Sequence, residues 1–351
     1  MLLAALAPSA TLADAVRVAT YSAAFSRDGP GLLLRDLLKG DAQTDGAIDV
    51  IAHATPDILL LTEFDYDAGG AALSALIDRL ADKGLHYPHH LALRPNTGRV
   101  SGLDLNENGR LGDAEDAQGF GRFAGDGGMA ILSRFPIREP RDLSSLLWRD
   151  LPGSRAPEVL TPDALAAQRL SSTAHWVVPV ETPGTILTLL CFAATAPIFD
   201  GPEDRSGARN ADEIMLWLRL FDGALGDAPN PPFVVLGRAN LDPQDGEGRH
   251  GVIRVLLSDP RLQDPAPSSG GARAAADPDH DGDPAHDTAD WPRGAPGNLR
   301  VSYVLPSADV DVMDAQVVWP RPGSPLDHSI ESAGPHRLVW IDITIPRHQN
   351  R

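Results

Sequence analysis

Strand-like runs recur along the whole chain, and their spacing limits what it can fold into more than any other feature. Residues 57–62 form a continuous apolar run of the kind that lies buried in a sheet, and 17–21 alternate like a first strand. Comparable runs fall at 128–132, 174–180, 186–192, 233–237, 299–305, 309–319 and 337–345. Helical patterns are interleaved at 31–54, 70–83, 211–225 and 252–258, the first with Leu32, Leu33, Leu37 and Leu38 on one side. No repeat and no linker between two cores breaks the series. Many strands with interleaved helices predict an α/β (α+β) domain of layered sheets over 16–347. With 33 Gly and 31 Pro, its loops must be long and shaped. The Ala-, Asp-, Gly- and Pro-rich stretch 265–296 is the expected mobile loop.

Charge narrows the partners. The chain carries 30 Lys+Arg against 48 Asp+Glu, a formal charge of −18. Duplex binders normally present a basic face, so a long duplex nucleic acid is not expected as a partner, nor is an anionic membrane surface. No run approaches the ~18 apolar residues that would span a bilayer. A lone cysteine, Cys191, excludes an intramolecular disulfide framework. Segment 1–15 reads in two ways. Its apolar start and Ala13-Asp14-Ala15, of small-x-small form, predict a signal peptide and a periplasmic or secreted protein. The missing basic flank leaves a flexible tail and a cytoplasmic protein as the other reading.

Residues 104–115 match the twelve-position pattern D-x-[DN]-x-[DN]-G-x5-E in full. Calcium needs six to eight oxygens. Asp104, Asn106 and Asn108 would supply three, the Arg110 carbonyl another, and a bidentate Glu115 would close the shell, with Gly109 making the sharp turn. The flanks, Asn96-Thr97-Gly98 and Gly119-Phe120-Gly121, are not helical, so the expectation is a lone calcium loop inside another fold. Its alternative is an acidic surface loop whose polar residues cap turns. A second acidic run, 277–283, puts Thr288 at the twelfth position and reads as a solvated loop.

A set of blocks in order carries a resemblance: Arg17-Val18-Ala19-Thr20-Tyr21, Asp57-Ile58-Leu59-Leu60-Leu61-Thr62-Glu63-Phe64-Asp65, Val234-Val235-Leu236-Gly237-x-x-Asn240 and His336-Arg337-Leu338-Val339-Trp340. With Gly102-Leu103-Asp104-Leu105-Asn106, Phe199-Asp200-Gly201-Pro202-Glu203-Asp204-Arg205 and Asp287-Thr288-Ala289-Asp290-Trp291, the chain resembles the endonuclease/exonuclease/phosphatase superfamily, in particular a bacterial, often exported branch. The resemblance implies a four-layer sandwich of two mainly antiparallel sheets flanked by helices, with the site at strand ends. It also implies phosphoester hydrolysis in which magnesium neutralises the phosphoryl oxygens, a His-Asp pair and a second carboxylate activate water, and asparagines and a second histidine hold the phosphate.

Against that pattern Glu63, Asn240 and His336 are retained, as the metal-binding glutamate, an asparagine and the final histidine. Ser22 stands for an asparagine, Ala193 for the phosphate-binding histidine, Arg238 and Ser302 for aspartates, and Pro335 for the aspartate beside the final histidine. A tyrosine expected near Asp126 is Gly127. Arg238 beside Glu63 would put a permanent cation where magnesium would sit, and two positive charges ~4 Å apart repel by about 4 kcal/mol at a surface-like dielectric. Magnesium binding is therefore expected to be poor, with an Arg238–Glu63 ion pair replacing the metal. Asp327-His328 offers a spare Asp-His pair only in a shifted register.

The leading expectation is a member of the superfamily that has kept the scaffold and the calcium-like loop but lost or severely impaired its hydrolysis, a binding or structural protein for which a small phosphorylated molecule or a lipid headgroup stays open as ligand. The rival is an active metal-dependent phosphoesterase built on Glu63, Asn240, His175 and His336 with loop aspartates. A third reading is an exported calcium-binding interaction protein. His175 beside Trp176 reads as a packing residue or a catalyst, and Arg205, Arg209 and Asn210 as ligand-facing or solvated. Asp287, Thr288 and Asp290 are expected to brace the loop before Trp291.

Overall fold

The computed structural model describes residues 15–294 and 296–345, so the segment read as a signal peptide or tail lies, but for Ala15, outside them. Its strands are β1 (Val16–Phe25), β2 (Ile58–Phe64), β3 (His89–Leu91), β4 (Gly128–Ser133), β5 (Arg141–Asp142), β6 (Ala174–Thr182), β7 (Thr185–Ala193), β8 (Phe233–Arg238), β9 (Ser302–Pro306), β10 (Asp311–Val317) and β11 (Val339–Thr344). Its helices are α1 (Leu32–Lys39), α2 (Ala42–Ala54), α3 (Ala71–Asp82), α4 (Ala156–Val159), α5 (Pro162–Ala167), α6 (Arg205–Phe221), α7 (Gly251–Leu257), α8 (Gly270–Ala274) and α9 (Asp327–Ala333).

The strands form two sheets, in the orders β10-β11-β1-β2-β4-β3 and β5-β6-β7-β8-β9. Each is antiparallel but for one parallel pair, β1–β2 in the first and β7–β8 in the second. Alternation decides which faces meet. Val16 and Val18 of β1 join Ile58, Leu60, Trp176, Leu189, Val234 and Ile341 in a core between the sheets. On the other face of the first sheet, Ala19 and Tyr21 pack with Ile48 and Ile51 of α2 and Leu76 of α3. Leu190, Phe192 and Val235 do the same on the second sheet against Ile214 and Trp217 of α6 and Ile253 of α7. The result is the expected four layers, helix on sheet on sheet on helix.

Several boundaries differ from expectation for local reasons. The stretch 31–54 is two helices, because Gly40 turns left-handed (φ 82) and the Asp41 side chain accepts from Gln43 N and Thr44 N, starting α2 afresh. Of the stretch 265–296, expected to be a mobile loop, residues 268–289 are anchored to the fold: Ser269 caps α8, and Ala272, Ala285 and Ala289 are fully buried. Its small residues permit close backbone approach, since a Cβ on Gly271 would lie 2.5 Å from the Pro320 carbonyl oxygen.

Candidate active site

The register of the strands assembles the site. On the second sheet Ala193, Arg238 and Ser302 are direct partners across β7, β8 and β9, so the three lie side by side at one end of the sandwich. On the first sheet Ser22 of β1 pairs with Thr62 of β2, and Glu63 is the next residue. His336 arrives just before β11, its backbone bridged to Ala289. Gly237 allows β8 to lie this close to β7, since a Cβ there would sit 1.9 Å from the Phe192 carbonyl oxygen. Glu63 (φ 56) and Asn240 (φ 52) both adopt the left-handed conformation that non-glycine residues rarely take.

Glu63 and Arg238 form the expected ion pair, and Arg238 Nη1 also donates to Ser22 Oγ at 3.2 Å. Burial acts to raise the Glu63 carboxyl, but the Arg238 guanidinium, with His336 behind it, outweighs burial and holds it down to about 2. A divalent cation on Glu63 would have to displace that guanidinium, and the surrounding Ser22, Ala193 and Ser302 offer it no carboxylate. Among the described residues no three His, Cys, Asp or Glu side chains are grouped to hold a metal. The residues here do not fit magnesium.

His336 is buried, and its Nδ1 has no hydrogen-bond partner among the described residues. Pro335 beside it cannot supply the carboxylate that would orient the ring. Burial lowers its pKa, Glu63 opposes, and Arg238 and Arg337 lower it further, to about 4. The imidazole is neutral at pH 7 and stands edge-on to Trp291, centroids 5.0 Å apart. Asn240 donates from Nδ2 to the Ala194 carbonyl at 2.8 Å, which ties the ends of β7 and β8 together.

His175 is not part of this group. It pairs with Phe192, one residue off the Ala174–Ala193 row, so it points to the opposite face of the sheet. There it packs between Phe192 and Trp217 and hydrogen-bonds Ser171 Oγ at 2.7 Å and the Glu213 carbonyl at 3.0 Å; burial lowers it to about 3. It is a packing residue. Arg209 is buried and donates to the carbonyls of Leu170, Arg169 and Gln118, Asn210 to those of Thr195 and Ala239, and Arg205 to Leu105 O and Gln168 Oε1. These three brace loops rather than face a ligand. Thr288 Oγ1 accepts from Val301 N and Ser302 N, and Asp290 pairs with Arg337, the expected bracing role. Asp327 and His328 begin α9, which packs on α2, so the spare pair stands apart from Glu63.

In the 104–115 loop, Asp104 Oδ1 and Asn106 Oδ1 both accept from Asn108 N, at 3.1 and 3.2 Å, and Asn108 Oδ1 accepts from Arg110 N. Glu115 is exposed, whereas Asp116 turns inward and accepts from Leu105 N and Gly112 N. The 277–283 run is folded onto Asp245, which accepts from Asp281 N and Gly282 N. The sequence reading missed a buried carboxylate pair that begins two residues after Glu63: Asp65 accepts from Arg27 N and Gly127 N, and Asp126 from Ser26 Oγ and Arg122 N. Burial, and then the Asp126 charge against two favourable amide bonds, raises Asp65 to about 6. Its signal was its place two residues after Glu63.

Comparison with known proteins adds three findings. Residues 24–331 match the sequence model of the Endonuclease/Exonuclease/phosphatase family. No curated protein matches at a significant level. Among solved structures, the chain is similar to an endonuclease/exonuclease/phosphatase from Beutenbergia cavernae (18% identity, 94% of this chain and 72% of that one, TM-score 0.55). It is also similar to sphingomyelinase C from Streptomyces griseocarneus (15%, 94% and 99%, 0.51) and to the human Nocturnin catalytic domain with bound sulfate (16%, 95% and 95%, 0.51). At these identities the likeness is one of fold.

Proposed function

The chain belongs to the endonuclease/exonuclease/phosphatase family, and on that footing we propose that it keeps the family's scaffold with hydrolysis lost or severely impaired, serving to bind a small phosphorylated ligand. One observation carries the reading: the Arg238 guanidinium occupies the counter-charge position on Glu63. Guanidinium is charged at any physiological pH and fixed in a planar fork, so it cannot exchange for a hydrated cation as readily as a solvent-held counter-ion would. His336 beside it is neutral, and its Nδ1 has no partner among the described residues to orient it as a base. The test is hydrolysis of a generic phosphodiester and a phosphomonoester over Mg²⁺, Mn²⁺ and Ca²⁺ series, with Glu63→Ala purified in parallel. Wild type and variant should be equally inert. Metal-dependent turnover that vanishes in Glu63→Ala would establish the rival reading, an active phosphoesterase, which the joint presence of Asn240 and His336 at these strand ends favours.

A second proposal concerns the 104–115 loop, which we read as a calcium site. The support is that Asp104 and Asn106 turn their oxygens toward one backbone nitrogen, so the alternate side chains converge. Calcium bound only by the native state should raise the melting temperature, a chelator should reverse the rise, and Asp104→Ala should abolish it. No shift on adding calcium would remove the proposal.

A further inference from the structure

Most of the described arginines stand within 4.0 Å of a carboxylate, as the strongly acidic composition favours. Three that gather at one place do not. Two buried residues, Asn96 and Gln118, link the Arg99 backbone to Arg169. Gln118 donates its backbone N to the Arg99 carbonyl at 2.7 Å and accepts from Arg169 N at 2.7 Å on its side-chain oxygen. Asn96 accepts from Arg99 N at 3.0 Å on its carbonyl and from Arg169 Nη1 at 2.9 Å on Oδ1. Arg94 lies two residues before Asn96. Among the described residues neither Arg94 nor Arg99 has a hydrogen bond or an ion pair on its side chain, and the Arg99 Nε is buried without a partner.

Like charges held this way repel, and an orphaned buried donor costs free energy. Burial, then Arg169 and Arg94, all act to lower the Arg99 pKa; the acid that opposes them, Asp142, has one oxygen already engaged by Ser144 N. The platform is also tightly built. A Cβ on Gly98 would fall 1.7 Å from the Phe123 carbonyl oxygen, and one on Gly119 1.8 Å from that of Ser172. The backbone that carries Arg99 is therefore fixed, and the Arg169 guanidinium is held on Asn96 Oδ1.

The cluster borders the site already described. Asn96 N donates to the Thr173 carbonyl at 2.9 Å, and Thr173 precedes Ala174, which lies in register with Ala193 and, beyond it, Arg238. Two strand spacings separate the β6 end of that row from Arg238, roughly 10 Å. A phosphate oxyanion is the chemistry that several planar guanidiniums recognise. The overall charge repels an extended polyanion, which limits the ligand to one of few charges.

We propose that Arg94, Arg99 and Arg169 bind the phosphate group of a small soluble molecule at the rim of the sandwich. The proposal does not depend on whether hydrolysis survives. The experiment is thermal unfolding with inorganic pyrophosphate against chloride at matched ionic strength, on wild type and on Arg99→Gln, Arg238→Gln and the exposed-surface control Arg321→Gln. Wild type should show a saturable rise in melting temperature. Arg99→Gln should weaken the apparent affinity by roughly tenfold or more, the worth of a charge-assisted contact. Arg238→Gln and Arg321→Gln should keep the response. Four results would each overturn the proposal: no saturable rise, a rise untouched by Arg99→Gln, a rise lost in Arg238→Gln, or capture on phosphatidic-acid vesicles without any effect of soluble pyrophosphate.

Discussion

Asp287 shows what a single side chain does to the energetics of this fold. It is 8% exposed, faces Asp242, Asp245, Asp283 and His280, and among the described residues its carboxyl has no hydrogen-bond donor. Burial first, and then the Asp242 charge, raises it to about 7. A carboxyl raised above its unfolded value holds its proton in the native state between about 4 and 7, where the unfolded chain has released it. Its contribution to stability is therefore fully present below about 4 and is lost as pH rises to about 7. His336 and His175, lowered to about 4 and about 3, act the opposite way: both destabilise the fold as pH falls below about 6.5, so the wild-type profile alone is not diagnostic. Asp287→Asn isolates the effect. It should match wild type near pH 4 and exceed it at pH 8 by up to about 4 kcal/mol, the three-unit difference at 1.36 kcal/mol per unit. Urea unfolding at the two pH values reads this directly. Equal stability at pH 8 would mean that the carboxyl is ionised in the native state without cost.

At the scale of elements, what could be read beforehand was what periodicity and order encode. The buried run 57–62 became β2 because both its faces are covered, by the inter-sheet core and by α2 and α3. The Glu63–Arg238 pair was legible because two strand-end motifs in sequence order place both residues at one end of the sandwich. Other features have no period. The break between α1 and α2 rests on one glycine and one capping aspartate. The three-residue β3, His89–Leu91, is too short to alternate visibly. The start of α6 at Arg205 lies before its apolar stripe, in residues buried for their hydrogen bonds rather than their hydrophobicity. The arginine cluster was invisible for a related reason. Arg99 and Arg169 meet only through Asn96 and Gln118, and the hint in the sequence was the density of glycines at 98, 119 and 121, where backbone must approach backbone.

For the whole molecule, the candidate site belongs to no single element. Glu63 and Ser22 come from one sheet, Ala193, Arg238 and Ser302 from the other, and His336 from the approach to β11. The ion pair consequently acts as a cross-link between the two sheets as well as a charge partner. Arg238→Asp would replace it by two carboxylates, which repel by about 4 kcal/mol at ~4 Å and an effective dielectric of 20. Glu63 is 28% exposed on its side chain, so solvent moderates the penalty. The variant should be less stable than wild type by about 2 kcal/mol in metal-free buffer, less than the ~3–5 kcal/mol of a fully buried broken pair because solvent reaches Glu63. Magnesium should then recover part of that loss in Arg238→Asp and leave wild type unmoved, as mass action requires when only the variant offers a paired-carboxylate site. On the proposed reading turnover should remain absent, because the change leaves Ala193 without a polar side chain to hold a phosphate and Pro335 without a carboxylate to orient His336. Melting curves with and without magnesium distinguish the cases. A wild-type response to magnesium that Glu63→Ala removes would show that the guanidinium yields to the metal, and the proposal of lost hydrolysis would then lose the observation that carries it.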